Sequence, residues 1–270
     1  MSLRNITITI VVIAVLAGAA FFFYSRPAGQ KAETPLEPAT VPPVPEVAAP
    51  GPEPEPVFTE AEVAEPPAPL PALESSDAEA REAVTRLAGR DFVERFLVPD
   101  SVVRKVVATV DNVPRQKLDM RIRAVPALGG RFLVAGTEDD IVLHPDNFDR
   151  YTPFVSLVAG IDPARVADVY VRFYPLLQQA YQELGYPDQQ FHNRLLEVID
   201  HLLATPEVPT PIRLVRPHVL YHYADPDLES RSAGQKALIR MGPANVAAIK
   251  DALRAFRVEL RSRTEPGAGT

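Results

Sequence analysis

The 270-residue chain contains no cysteine and no tryptophan. Without cysteine there is no disulfide, no Cys-ligated zinc, no iron–sulfur cluster, no thiol nucleophile and no lipoprotein attachment. An excess of basic charge is also missing: 28 Lys and Arg stand against 35 Asp and Glu, a net of −7. No broad positive field can form, so nucleic acid is not an expected partner. The chain lacks G-x-G-x-x-G, G-x-S-x-G and H-E-x-x-H, so no cofactor is implied. Gly234-Gln235-Lys236 resembles the end of a phosphate loop, but Glu229 and Ala237 stand where Gly and Ser/Thr are needed.

Proline is the residue in surplus. Of 29 prolines, 14 fall between Pro27 and Ser76, together with nine glutamates and one lysine, Lys31. Proline removes backbone donors and clustered glutamates repel, so this tract cannot bury a core. It reads as an extended acidic spacer with a reach of at most ~155 Å at ~3.1 Å per residue. It carries the chain's acidity, and residues 77–270 are close to neutral.

Ile6–Tyr24 (ITITIVVIAVLAGAAFFFY) is 19 residues without a charge. At ~1.5 Å per residue it spans ~28 Å, close to the hydrocarbon thickness of a bilayer. Ala17-Gly18-Ala19 also fits a signal-peptidase site, yet the apolar run continues past it through Phe21–Tyr24, which favours an uncleaved anchor. The short N-terminus before the span and the acidic tract behind it favour N-in orientation. The expected layout is therefore a single-pass anchor in the inner membrane over 1–26, a disordered Pro/Glu-rich linker over 27–76, a periplasmic folded domain over 77–262 and a disordered tail over 263–270. The membrane is the first partner, through residues 6–24.

The folded part reads as α+β and mostly α, a helical domain with a small antiparallel element. Ser76-Asp77-Ala78-Glu79 has the capping-box pattern, and Gly89 closes the helix that follows. Phe92–Val98 reads as a short helical turn. Val102, Val103, Val106, Val107 and Val110 recur at helical spacing and end before Pro114. Phe132–Val134 and Ile141–Leu143 read as a β-hairpin. One helix is expected over Asn147–Ala159. The next opens with Asp162 as cap and Pro163 at the first position, carries a stripe from Val166 to Leu184, contains Pro175 as a kink and stops at Gly185. Asp188 is expected to cap a helix with Phe191, Leu195, Val198, Ile199 and Leu202 on one face. Ile212–Val215 and Val219–Tyr223 read as short extended segments. Ser232 caps a helix to Met241, and Pro243 starts the last.

Candidate chemistry is sparse. His218 and His222 lie in a Pro-interrupted extended segment, some 13 Å apart at ~3.3 Å per residue. Glu197 and His201, four apart on a helix, suit a side-chain contact rather than a metal site, and no metal site is expected. Arg213, Arg216, Tyr221 and Tyr223 crowd one short stretch, where arginine forks beside tyrosine faces suit a sugar or an anionic peptide. Asp111, Arg115, Tyr174 and Asp200 complete the candidate binding set. Arg213 alternates with Ile212 and Leu214, so it should face solvent. The leading reading is a binding or scaffold module for an envelope protein or a cell-wall component. The alternatives are an enzyme on an envelope polymer, using Asp200, His201, Asp111 or Tyr174, and a small-ligand sensor; whether the chain is an enzyme stays open.

Six stretches carry a resemblance: Val107–Arg115 (VATVDNVPR), Tyr174–Gln178 (YPLLQ), Tyr181–Asp188 (YQELGYPD), Val198–Pro206 (VIDHLLATP), Leu214–Pro217 (LVRP) and Ser232–Pro243 (SAGQKALIRMGP). Over roughly 75–262 the chain resembles an uncharacterised bacterial domain family that follows one N-terminal membrane anchor and a proline-rich linker. The resemblance implies the same layout. It carries no activity, so it assigns no catalytic residue.

Overall fold

The computed structural model describes residues 69–125, 131–137 and 139–264. The expected anchor over 6–24, the linker as far as residue 68 and the end of the tail lie outside the described residues. Among the described residues no helix is long and apolar enough to cross a membrane.

In chain order the elements are α1 (Asp77–Ala88), α2 (Arg90–Phe96), α3 (Val102–Asn112), β1 (Val134–Thr137), β2 (Asp140–Leu143), α4 (Asp146–Asp149), α5 (Thr152–Ala159), α6 (Pro163–Glu183), α7 (Phe191–Leu203), β3 (Arg213–Val215), β4 (His222–Tyr223), α8 (Pro226–Glu229), α9 (Ala233–Met241) and α10 (Pro243–Thr264). The molecule is mostly helical with one small antiparallel sheet, an α+β architecture. The sheet is a meander in the order β1-β2-β3-β4.

Apolar spacing accounts for the helical layer. On α6 the stripe Val166, Val169, Tyr170, Phe173, Leu177, Ala180 and Tyr181 is buried, while Leu184 at its end is exposed. Each large side chain so buried contributes about 1.5–3 kcal/mol relative to exposure. Asp162 accepts from the Ala164 N–H at 3.0 Å and Pro163 opens the helix. Pro175 lies inside α6, which stays one element from Pro163 to Glu183. Helix α10 buries Val246, Ile249, Leu253, Phe256 and Leu260 against α5, α6 and α7. Helix α3 packs its valines on α6 and α7. The inner sheet face makes a second, smaller core of Leu143, Ile212, Leu214 and Tyr223 with Ile239 of α9.

Several local expectations change. Ser76 does not cap α1 with its side chain; its hydroxyl donates to the Leu73 carbonyl at 2.8 Å, and Asp77 instead accepts from the Ser101 and Val102 N–H groups, both at 2.7 Å. The pattern fits a capping box, but Asp77 finds a neighbouring helix start to cap. Asp188 does not cap α7; Gln190 occupies that position without a side-chain cap bond. The single helix expected over Asn147–Ala159 is two, α4 and α5, separated at Arg150–Tyr151. Packing begins ahead of Asp77, with Leu70 partly buried against the core and Leu73 buried in it. At the other end α10 continues to Thr264, where Arg263 donates to Asp168 at 2.8 Å and to the Ala164 carbonyl at 3.0 Å.

Candidate functional site

The end of α3 and the polar edge of α7 meet around one carboxylate. Asp111 sits on the last turn of α3, and its side chain is only 4% exposed. An isolated carboxylate so deeply buried would be strongly disfavoured. Three groups compensate it. Arg115, one turn on, donates to Oδ2 at 2.9 Å. Arg194 of α7 donates from Nε to Oδ1 at 3.1 Å and from Nη2 to the Asp111 backbone carbonyl at 2.8 Å. The Tyr186 hydroxyl donates to Oδ2 at 3.3 Å.

Beside this cluster lies a cavity of about 190 Å³, lined by Asp111, Tyr181, Tyr186, Gln189, Gln190, Asn193, Arg194 and Glu197. Tyr181 and Tyr186 stack at 4.6 Å with 21° between their planes. Burial raises the Tyr181 hydroxyl to about 12, and the Asp111 charge adds to the shift, so it stays a neutral donor and acceptor. The loop that carries Tyr186 to Gln190 is held from beneath. Gln178 donates to the Gln189 carbonyl at 2.8 Å and accepts from the Phe191 N–H at 2.8 Å. The Tyr174 hydroxyl lies 2.9 Å from Gln190 Oε1. Tyr174 is thus a support of the cavity and not part of its lining.

A second, more open cavity of about 520 Å³ is lined by Pro114, Gln116, His201, Asp227, Ser230, Arg231, Ser232 and Gln235. His201 Nε2 is 2.7 Å from the Ser232 hydroxyl. Burial lowers the His201 pKa, with Arg194 and Arg231 adding to the effect, so the ring is neutral near pH 7. Ser232 caps α9 by accepting from the Gln235 N–H at 3.1 Å. The Ala233 and Gly234 N–H groups donate to the Arg115 and Val113 carbonyls at 2.7 and 3.0 Å. The first amides of α9 are therefore engaged and offer no oxyanion site. The Glu197–His201 contact expected from their spacing does not form: Glu197 turns back to Arg194 at 3.2 Å while His201 turns forward to Ser232. Among the described residues no three His, Asp or Glu side chains are grouped to hold a metal ion.

The eight residues singled out in the sequence do not share one cleft. Asp111 and Arg115 form the buried cluster, with Tyr174 behind it. Asp200 lies apart, exposed and paired with Arg257 of α10 at 2.9 Å. Arg213 is on the solvent side of the sheet, and Arg216, just past β3, is exposed. Arg213 has a side chain 72% exposed and lies 3.7 Å from Asp140. The Arg216 guanidinium covers the Tyr221 ring at 5.4 Å, and that ring contacts Phe132 at 5.6 Å. Tyr223 parts from this group. Its register opposite Leu214 turns it to the core face, where its hydroxyl donates to the Lys236 carbonyl at 3.2 Å and burial pushes its pKa up to about 12.

Besides Asp111, the first cavity is built by Tyr181, by Glu197, expected only to meet His201, and by Tyr186, Gln189, Gln190, Asn193 and Arg194, which the sequence did not single out. For Asn193, Arg194 and Glu197 the signal is a polar stripe at helical spacing along α7, which by pattern alone is a solvated helix face, while Tyr186, Gln189 and Gln190 lie on the loop before it. Only the arrival of α3 turns that face into a wall.

A family model described as "Protein of unknown function (DUF3014)" matches residues 102–257, and the chain belongs to that family. The match takes in α3 and α7, and so both sides of the buried Asp111 cluster. No curated protein and no solved structure matches the chain.

Proposed function

Since membership of this family brings no activity with it, we propose from the site alone that the chain is a membrane-tethered binding module of the bacterial envelope. In this reading residues 6–24 anchor it in the inner membrane and the helical domain lies on the periplasmic side. Its cleft between α3 and α7 takes a saccharide unit of a cell-wall polymer. The observation that carries the reading is the chemistry around Asp111. Amides from Gln189, Gln190 and Asn193 supply both donors and acceptors, Arg194 supplies donors, Glu197 supplies acceptors, and Tyr186 supplies a ring face. The charges of Asp111 and Glu197 are balanced by Arg115 and Arg194. A site with many hydrogen-bonding groups and no net charge suits a neutral polyhydroxylated ligand. At about 190 Å³ it is smaller than the ~300–1,000 Å³ of pockets for drug-sized molecules, which suits one small polar unit.

Co-sedimentation of the detergent-solubilised full chain with isolated cell-wall sacculi tests the proposal. The wild-type chain should pellet with the sacculi, and Tyr186→Ala should weaken retention about tenfold, the effect of losing roughly 1.4 kcal/mol of ring stacking. Equal retention of the two chains would remove the cleft from the argument.

The second reading, an enzyme on the same polymer, is favoured by the 2.7 Å approach of His201 to Ser232 beside the larger cavity. It predicts ester cleavage that both Ser232→Ala and His201→Ala abolish. The occupied amides at the start of α9 weigh against it.

A further inference from the structure

The two cavities border the same helix, α7. Gln190, at the N-cap of α7, is followed along the helix by Arg194, Glu197 and His201 at intervals of four, three and four, and the last three share one edge of it. The first three line the smaller cavity and His201 lines the larger. The opposite wall runs in the same direction: Asp111 meets Arg194, and five residues later Gln116 lines the cavity that holds His201. The start of α9 closes the far end, tied to this wall by the Ala233 and Gly234 amides and to α7 by Gln235, which donates to the His201 carbonyl at 3.0 Å.

From these alignments we infer that the cavities are two stations of one groove, and that its ligand is a linear, uncharged glycan strand lying along α7 rather than a single sugar. The inference rests on the saccharide reading given above and extends it. From Gln190 to His201 the helix rises about 16 Å at ~1.5 Å per residue, longer than one monosaccharide. The second station keeps the character of the first, with the amides of Gln116 and Gln235, one carboxylate in Asp227 and one guanidinium in Arg231. The smaller cavity is the tighter station, built around the buried carboxylate, and the larger one accepts the strand as it continues.

The test uses β-1,4-linked N-acetylglucosamine oligomers, from the monosaccharide to the pentasaccharide, titrated calorimetrically into the full chain in detergent. Affinity should rise about tenfold or more between monosaccharide and pentasaccharide, equivalent to at least 1.4 kcal/mol. The double variant Gln116→Ala/Arg231→Ala should lose that gain with length. Tyr186→Ala should weaken every length. Affinity that is measurable but independent of length would overturn the groove and leave the saccharide reading standing. Absence of binding at every length, with a chain whose circular dichroism and melting are normal, would overturn both.

Discussion

Arg194 holds Asp111 at two points, its Nε donating to the carboxylate at 3.1 Å and its Nη2 to the backbone carbonyl of the same residue at 2.8 Å. This grip ties the end of α3 to α7 and fixes the width of the cleft. Arg115 grips the other carboxylate oxygen, but its side chain is 56% exposed, against 26% for Arg194. The two arginines should therefore differ in weight. Arg194→Met is expected to destabilise by about 2–3 kcal/mol, because it strips a buried carboxylate of its less hydrated partner. Arg115→Met should cost about 1 kcal/mol or less. Urea denaturation of the two variants checks the order, and equal losses would contradict it.

Stability should fall in mild acid. His192 is buried, with its Nδ1 3.1 Å from the Tyr170 hydroxyl, and burial lowers its pKa from 6.5 to about 4. The unfolded chain takes up a proton near the ordinary value, whereas the folded chain takes it up only near the lowered one. The contribution is thus fully present above about pH 6.5 and is lost as the pH falls toward about 4. Its ceiling is about 3.5 kcal/mol, from ~1.4 kcal/mol per unit of displacement. His201 is displaced in the same direction by burial and the nearby arginines, and adds to the trend. Replacing His192 with Gln should flatten the dependence of the urea midpoint between about pH 7.5 and about pH 4.5. An unchanged slope would show that other groups govern it.

Gly234 is where α9 meets the end of α3. A Cβ there would lie 2.5 Å from Val113 Cγ1 and 2.9 Å from Leu202 Cδ2. Gly234→Ala is expected to destabilise by about 1–3 kcal/mol through overpacking, and to shift the far wall of the proposed groove. Thermal unfolding within about 0.5 kcal/mol of the wild-type chain would show that the junction can relax.

Because the charges lining the cleft balance once Arg115, paired with Asp111, is counted with them, saccharide binding should be nearly indifferent to salt. Affinity is expected to change less than about twofold between roughly 50 and 500 mM sodium chloride, since screening weakens a net field and there is none to weaken. A steep loss with salt would point to an anionic ligand.

Arg213 on the sheet and Arg216 just past it give an internal control. Arg213→Glu and Arg216→Glu lie outside both cavities and should leave saccharide affinity within about twofold of wild type, as surface changes away from a site do. Loss of binding in either variant would move the site to the sheet.

Much of the helical frame was legible in the residues. The stripes of α6 and α10, the Asp162 and Ser232 caps and the stop at Gly185 all follow from periodicity and local hydrogen bonding. The small sheet was legible as a hairpin and two extended segments, and its joining into one meander is a matter of register between distant strands. The site was read only in part. Asp111 and Arg115, one helical turn apart, belong to the cluster, whereas Asp200, Arg213, Arg216 and Tyr221 lie elsewhere and Tyr223 faces the core. Polar side chains on a helix edge carry no mark of whether solvent or another element will face them.

The sequence by itself determined the chain's division: a charge-free run over residues 6–24, an acidic proline-rich stretch behind it, and a cysteine-free remainder with apolar stripes at helical spacing. These are properties of neighbours in the chain. Only tertiary structure decided that Asp111 would be buried, that Arg194, 83 residues away, would neutralise it, and that the polar edge of α7 would become the floor of a cleft. Burial of a charge is settled by which elements pack over it, and that depends on how distant apolar stripes fit together.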